Sequence, residues 1–268
     1  MPHVADAVVD ARRACDALAR QPALSRTLPP LQAEASLRAA QAGLALDGVR
    51  LALDTVRDVA RGLAAPPPGP TGTMVVGALR LAADVQREVA ASGEWLPTGH
   101  QPLPQRLAHW HATVSAGLGA GVPGRLREHE QPGDLRGLGD APVGAELSQR
   151  MAGLAALVAQ PLTPSVSGLV VAAVVHGELL AMRPFAHSNG AVARAVLRWQ
   201  IGTLGVDRTA TVAPEVVWAD APDRYVSAAA GYATGEWPRV VAWVRTVASA
   251  VLRGADLALD LAQDAAHF

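Results

Sequence analysis

The sequence is most constrained by one apolar segment near its middle, SVSGLVVAAVVHGELLAM at residues 165–182. Drawn as a helix, this segment is apolar on nearly every side, and a helix of that kind is buried. Pro184 biases the residues before it away from helical geometry, so the helix ends there. The longest uninterrupted apolar run, 169–175, is well short of the roughly 20 residues that span a membrane. The segment therefore predicts the central helix of a helical domain.

A polar stretch, RPFAHSNGAVAR at 183–194, separates this helix from the next one. Ser188 and Asn189 are good N-cap residues, so the next helix is expected to begin there. Its first turn exposes backbone N–H groups at the positive end of the helix dipole, and Gly190 lets a ligand approach closely. Arg183 and Arg194 can add charge-assisted contacts to a phosphate or carboxylate. The alternative is an ordinary helix–loop–helix with two solvated arginines.

The rest of the chain predicts an all-α fold with at most one small β-hairpin. A Pro- and Gly-rich linker at 65–72 separates an N-terminal helical region, 1–64, from a helical core at 73–268. A Gly-rich segment at 119–142 interrupts the core and is expected to form a long loop, or flap. Helices are predicted at about 4–20, 28–62 (two helices), 73–92, 105–118, 144–159, 165–182, 189–204, 221–233 and 237–264.

Composition and charge exclude several classes of protein. The formal net charge is −1, which argues against a protein that neutralises nucleic-acid phosphates. Cys15 is the only cysteine, so the sequence offers neither an internal disulfide nor a cysteine zinc site. No signal peptide and no membrane segment is visible, and we expect a cytoplasmic protein.

The stretch at 183–194 resembles the signature of Fic domains, H-P-F-x-[D/E]-G-N-G-R-x-x-R. Fic enzymes transfer AMP or other phosphate-containing groups onto protein hydroxyls. The similarity extends over about residues 30–250: the segment 109–128 is similar to the helix and flap of the family, and 230–245 to its C-terminal helices. The chain looks close to an actinobacterial branch that carries R-P-F in place of H-P-F. The signature positions that match are Pro184, Phe185, Asn189, Gly190 and Arg194.

Four signature positions depart from the family. Arg183 stands where the family has its catalytic histidine, and a guanidinium stays protonated and cannot accept a proton. His187 replaces the acidic residue and offers nitrogen, a poor ligand for Mg²⁺, so neither a standard Mg²⁺ site nor any other metal site is expected. Ser188 replaces a glycine, and Ala191 removes one phosphate-binding arginine. His187 stays open as a displaced base, since a histidine pKa suits that role.

The resemblance also implies an inhibitory element and a target-binding flap. GLALDG at 43–48 looks like a variant of the family's inhibitory helix, with Asp47 in the place of a glutamate that pairs with the second motif arginine, here Arg194. The alternative is that Asp47 only closes a helix before Gly48. In the family, the flap aligns an extended target segment. Arg125 and Arg127 lie in this flap and are either part of that function or solvated.

Three functions remain open at this point. We expect a degenerate relative of Fic adenylyltransferases that binds ATP, another nucleotide or phosphate without standard AMP transfer. A second possibility is an active transferase with altered chemistry, using His187 as its base. The third is a non-catalytic interaction module with a protein partner, and apolar helices would also allow a homodimer. No nucleic-acid or membrane partner is expected.

Overall fold

The computed structural model describes residues 2–22, 24–91, 101–119 and 121–266. Within these ranges the chain forms eleven α-helices and one 3₁₀ turn, Arg136–Leu138, and no β-strand. The predicted all-α fold is confirmed. The helices are α1 (Pro2–Ala19), α2 (Leu24–Leu46), α3 (Leu53–Ala60), α4 (Gly69–Ala91), α5 (Leu103–Ser115), α6 (Gly144–Ala159), α7 (Gly168–Met182), α8 (Asn189–Thr203), α9 (Pro214–Ala219), α10 (Pro222–Ala233) and α11 (Trp237–Ala266).

Helices α7 and α8 form the centre of the molecule, as the apolar pattern predicts. Helix α7 packs against α8, α10 and α11, and most of its side chains are buried. Helix α7 approaches α10 and α11 closely at Gly177, where an added Cβ would lie 2.7 Å from Trp243 Nε1 and 2.8 Å from the ring of Tyr232. Trp243 Nε1 donates a 2.7 Å hydrogen bond to the carbonyl of Ala173. A glycine at this point therefore lets α7 and α11 pack directly against each other.

His176 is a core residue of α7. One ring nitrogen is 2.9 Å from the carbonyl of Ala193 and the other is 3.0 Å from the hydroxyl of Tyr225. The ring stacks on Trp218 with centroids 5.4 Å apart. Burial lowers the pKa of His176 to about 3, so the ring is neutral in the folded protein. Both nitrogens are satisfied, and His176 belongs to the packing of the core.

The N-terminal helices cover the core closely. Helix α1 packs along α11, and α2 packs against α4, α9, α11 and α8. Helix α4 begins at Gly69, inside the segment predicted as a linker, so only the residues just before it form a loop. No helix in the described parts of the chain is long and apolar enough to cross a membrane.

The flap differs from the prediction of a small hairpin. Its described residues form only the 3₁₀ turn Arg136–Leu138. Glycines with positive φ recur at 117, 119, 121, 124 and 139, and such residues interrupt strand pairing. Position 120, and the last residue of the helix predicted at 73–92, lie outside the described residues. The expected hairpin is thus absent from the described flap, which is a loop that lies over the α7–α8 connection.

Candidate functional site

The loop between α7 and α8 is held by Asn189. Arg183 caps α7 in the left-handed conformation, with φ 42°, and Ser188 precedes α8 with φ 59°. The side chain of Asn189 accepts a 2.8 Å hydrogen bond from the N–H of Phe185 and donates one of 2.9 Å to its carbonyl. Asn189 is buried, so these bonds fix the loop in one shape. The predicted start of the second helix at Ser188 or Asn189 agrees with this structure.

A carboxylate from the flap occupies the N-terminus of α8. Asp134 Oδ2 accepts a 2.7 Å hydrogen bond from the backbone N–H of Asn189, and Oδ1 accepts another of 2.7 Å from Asn189 Nδ2. This is the position at which a helix end binds anions. The carbonyl of Ala186 accepts a 2.8 Å hydrogen bond from the N–H of Gly133, which holds Asp134 in place. Asp134 was not identified from the sequence, where it was one acidic residue in a Gly-rich segment.

Arg183 faces the flap. Its guanidinium donates hydrogen bonds of 2.9 Å to the carbonyl of Leu135 and 2.7 Å to that of Gly139. The side chain is 1 % exposed, and burial lowers its pKa, opposed by the charges of Asp134 and Asp140. The guanidinium is therefore engaged with backbone carbonyls that flank the 3₁₀ turn. Both terminal nitrogens are used in this way, and a contact between Arg183 and a bound anion stays a prediction.

Arg127 is buried, which corrects the alternative that it is solvated. It donates hydrogen bonds of 2.7 Å to the carbonyl of Arg183 and 2.6 Å to that of Met182. It also reaches the carbonyls of Glu130 and Pro142. The end of α7 has carbonyls without intrahelical partners, and Arg127 satisfies two carbonyls there while tying them to the flap. Arg127 is thus a structural anchor of the flap.

Arg125, by contrast, lies on the surface. Its side chain is 64 % exposed and forms a 2.8 Å ion pair with Glu128, which is equally exposed. An exposed pair of this kind contributes little to stability.

Asp47 pairs with Arg194 across the molecule. Arg194 Nη2 is 2.6 Å from Asp47 Oδ2 and 3.2 Å from the carbonyl of Gly43. Arg194 is 3 % exposed, while the side chain of Asp47 is 24 % exposed at the end of α2. Burial lowers the pKa of Arg194, but the carboxylate of Asp47 raises it. Tyr225 and Glu215 make smaller contributions in the same direction as Asp47, so the pKa lies above its usual value. Asp47 does more than close a helix, and whether the pair is inhibitory stays a prediction.

A Cβ at position 190 would crowd the ends of two charged side chains. An added Cβ would lie 2.8 Å from Arg194 Nη1 and 3.0 Å from Asp47 Oδ1. The ion pair therefore lies directly against the first turn of α8. Asp134 of the flap contacts the same turn, so the carboxylates of Asp47 and Asp134 both lie near the positive end of the α8 dipole. Burial raises the pKa of Asp47, opposed by Arg194, and the charge of Asp134 raises it further.

His187 lies in the loop beside a second histidine. Its Nδ1 is 2.8 Å from the hydroxyl of Ser188, and its ring is 5.4 Å from that of His111. His111 stacks on Phe185 with centroids 4.0 Å apart and accepts a 2.8 Å hydrogen bond from the N–H of Gly124. Burial lowers the pKa of His111 to about 4, and a smaller effect comes from His187. The described residues contain no group of three or more metal-ligand side chains.

A cavity opens beside the ion pair, between α2, α4, α5 and α8. It holds about 580 Å³ of space that no atom fills, including its open mouth. Arg194, Arg198 and Glu215 line it, and all three are buried. Among the described residues, Arg194 Nη1 and Glu215 Oε2 have no hydrogen-bond partner. Arg198 and Glu215 were not identified from the sequence, although Arg198 is one helical turn after Arg194 on the same face of α8.

Comparisons with known proteins identify the fold. No protein-family model matches the chain, and no curated protein sequence matches it significantly. A Fic family protein from Desulfovibrio desulfuricans G20 is 21 % identical with a TM-score of 0.75, over 97 % of this chain and 75 % of that one. Fic-1 from C. elegans is 15 % identical, with a TM-score of 0.75 over 97 % and 73 % of the two chains.

A third structure gives the same result. A Fic-domain-containing signalling protein from Bacteroides thetaiotaomicron VPI-5482 is 13 % identical, with a TM-score of 0.69 over 96 % of this chain and 98 % of that one. The predicted Fic-type fold is confirmed by these structures. At such low identity, function has to be argued from the residues of the site.

Proposed function

We propose that this Fic-fold protein binds a phosphate-bearing ligand, such as ATP or another nucleotide, at the N-terminus of α8, and that it does not carry out standard AMP transfer. The observation that carries the proposal is the state of Arg183. It occupies the signature position of the catalytic histidine, and its guanidinium is buried and bonded to two flap carbonyls. The site thus keeps groups that attract an anion and lacks a proton acceptor at the position of the catalytic histidine.

The loss of the base is the main argument against AMP transfer. In Fic enzymes the histidine takes a proton from the attacking hydroxyl, and general-base catalysis of this kind contributes about 10²–10⁴-fold. Arginine cannot replace it, because its pKa is far above any operating pH. Ala191 removes a phosphate-binding arginine as well.

Three features support anion binding. The first turn of α8 presents backbone N–H groups, and the guanidinium of Arg194 lies directly against this turn at Gly190. Arg194 Nη1 has no hydrogen-bond partner within the described structure, although the side chain is buried. A buried charged donor without a partner is costly, and a ligand oxygen would satisfy it. The carboxylate of Asp134 is bound at the same helix end, which is the chemistry expected of a phosphate.

Asp134 and a phosphate would compete for the same helix end. Asp134→Asn removes the charge and keeps the size of the side chain, so we expect phosphate and ATP to bind more tightly than to the wild type. Arg194→Ala should abolish binding. Asp140→Asn is the matched control, because Asp140 is an exposed acidic residue of the same flap. Titration calorimetry with ATP, ADP and inorganic phosphate, with and without Mg²⁺, measures each affinity.

The absence of AMP transfer needs its own measurement. Incubation with ATP labelled on the α-phosphate should leave no label on the protein or on a cell extract. Robust transfer of label would refute the proposal. If His187→Ala then abolished transfer and left binding intact, the protein would be an enzyme that uses His187 as its base.

A further inference from the structure

The cavity beside Arg194 has an apolar wall formed by one face of α4. The residues of α4 that line it recur at helical spacing from position 74 to position 85, which covers about 16 Å along the helix axis. Residues from α2, α5 and α8 complete the apolar part of the lining, and they are small or aliphatic. Among the residues that the structure describes, no aromatic side chain lines the cavity. The apolar lining residues are Ala39, Ala40, Leu44, Met74, Ala78, Leu81, Ala82, Val85, Val114, Leu118, Ala191 and Ala195.

The charged groups of the cavity are unevenly placed. Asp47, Ser188 and Arg194 lie together at the start of α8, and Asp47 is partly exposed, so this end is the mouth. Arg198 lies one turn further along α8 and is buried. Glu215 is buried too, and burial raises its pKa, opposed by the charges of Arg198 and Arg194.

We infer that the ligand of this site is an anionic amphiphile, with a phosphate or carboxylate head on Arg194 at the mouth and an aliphatic body along the apolar face of α4. This inference rests on the proposed function, because it takes the anion site as given and adds the kind of molecule that carries the anion. The head uses Arg194 Nη1, which has no hydrogen-bond partner among the described residues. Arg194 Nη2 can keep its bonds to Gly43 and Asp47.

The α4 side of the cavity fits an aliphatic chain better than a nucleobase. A base is usually bound by stacking on an aromatic or guanidinium plane and by hydrogen bonds to its edges. The residues of α4 supply neither, since they are Ala, Val, Leu and Met, and the two guanidinium groups of the lining, Arg194 and Arg198, belong to α8. Such a wall stabilises an aliphatic chain in proportion to the apolar area that it removes from water.

The test is a series of monoalkyl phosphates measured by titration calorimetry, below the concentrations at which they form micelles. Inorganic phosphate, ethyl phosphate, butyl phosphate and octyl phosphate share one head and differ in chain length, and octanoate carries the alternative head. Affinity should rise along the series, with octyl phosphate binding more than tenfold tighter than ethyl phosphate, because each added methylene buries further apolar area.

Substitution of two alanines of α4 tests where the aliphatic chain of the ligand lies. Ala78 lines the cavity, so Ala78→Leu should fill it and reduce the affinity for octyl phosphate to that for ethyl phosphate, which itself should not change. Ala83 is on the same helix and is exposed, so Ala83→Leu is the matched control and should change neither affinity. Thermal unfolding of both variants checks that they fold. If Ala78→Leu does not fold, the chain-length series on the wild type still decides whether the ligand carries an aliphatic chain.

Each outcome separates this inference from the proposed function. Equal affinity for ethyl and octyl phosphate would overturn the amphiphile and leave phosphate binding standing. Octyl phosphate binding that ignores Ala78→Leu would overturn the placement in this cavity. If octanoate binds and no phosphate binds, the inference of an anionic amphiphile stands, with a carboxylate head, and the proposal of a phosphate-bearing ligand is wrong. If no probe binds, both proposals fail.

Discussion

Replacing Arg183 with methionine tests whether this residue anchors the flap. Methionine keeps an unbranched side chain in a buried position and removes both donors of the guanidinium. The carbonyls of Leu135 and Gly139 then lose their hydrogen bonds of 2.9 and 2.7 Å. If the interpretation is right, the variant weakens the flap and does not remove a catalytic group, since the wild type has no proton acceptor at this position.

The size of the effect follows from the two bonds. A hydrogen bond to a charged group contributes about 1.5–3 kcal/mol, so two of them contribute about 3–6 kcal/mol. Gly139 is exposed and Leu135 half-buried, so their carbonyls can bind water once the arginine is gone. We therefore expect the lower end, a loss of about 3 kcal/mol in the free energy of unfolding. For a chain of this size that is a fall of about 6–12 °C in the melting temperature.

Two measurements check the effect and its location. Urea denaturation gives the free energy of unfolding, and amide hydrogen exchange reports opening of the flap at the N–H groups of Gly133 and Leu138, which are bonded to Ala186 and Leu135. The matched control is Arg125→Met in the same flap. Arg125 is exposed and paired only at the surface, so the free energy of unfolding should change by less than about 0.5 kcal/mol.

One result would contradict this role of Arg183. If Arg183→Met leaves both the free energy of unfolding and the exchange of the flap amides as in the wild type, the two hydrogen bonds do not hold the flap. Arg183 would then be available for a ligand, as the sequence first suggested.

Three further predictions concern close packing and pH. Gly190→Ala should reduce the affinity for phosphate and lower the free energy of unfolding by about 1–3 kcal/mol, because the new methyl group would overlap with Arg194 Nη1. Titration calorimetry measures the affinity, and urea denaturation measures the free energy of unfolding. Gly177→Ala should cost a similar amount and change the fluorescence of Trp243, whose Nε1 would be 2.7 Å from the added carbon; unchanged stability would contradict the packing of α7 on α11. For His111 the folded pKa of about 4 lies below the unfolded value of 6.5, so the folded state binds fewer protons between these values. The contribution of His111 to the free energy of unfolding is fully present above pH 6.5 and is lost as the pH falls toward 4, by about 1.4 kcal/mol per pH unit. Because this slope corresponds to one bound proton, His111→Gln should lower the pH dependence of stability by that amount, as measured by urea denaturation at several pH values.

Much of the fold followed from local patterns. The apolar run of α7 and the proline after it predicted where α7 ends, and α8 begins at Asn189 as expected, although Ser188 at its N-cap makes no side-chain capping hydrogen bond. The Fic-like signature also placed the loop that carries Asn189 and Gly190. The prediction of a small hairpin in the flap was wrong, since the glycines of the flap favour turns and the described residues form no strand.

The contents of the site were decided by the tertiary structure. Asp134 reaches Asn189 from 55 positions away in the chain, and Asp47 reaches Arg194 from 147 positions away. No local pattern encodes which of many carboxylates will meet a given helix end. The sequence determined that α8 begins with groups that attract an anion, because N-cap residues and glycine act within one turn. Only the folded chain decided that two of its own carboxylates lie there and that Arg183 points to the flap, because these contacts depend on how distant helices pack.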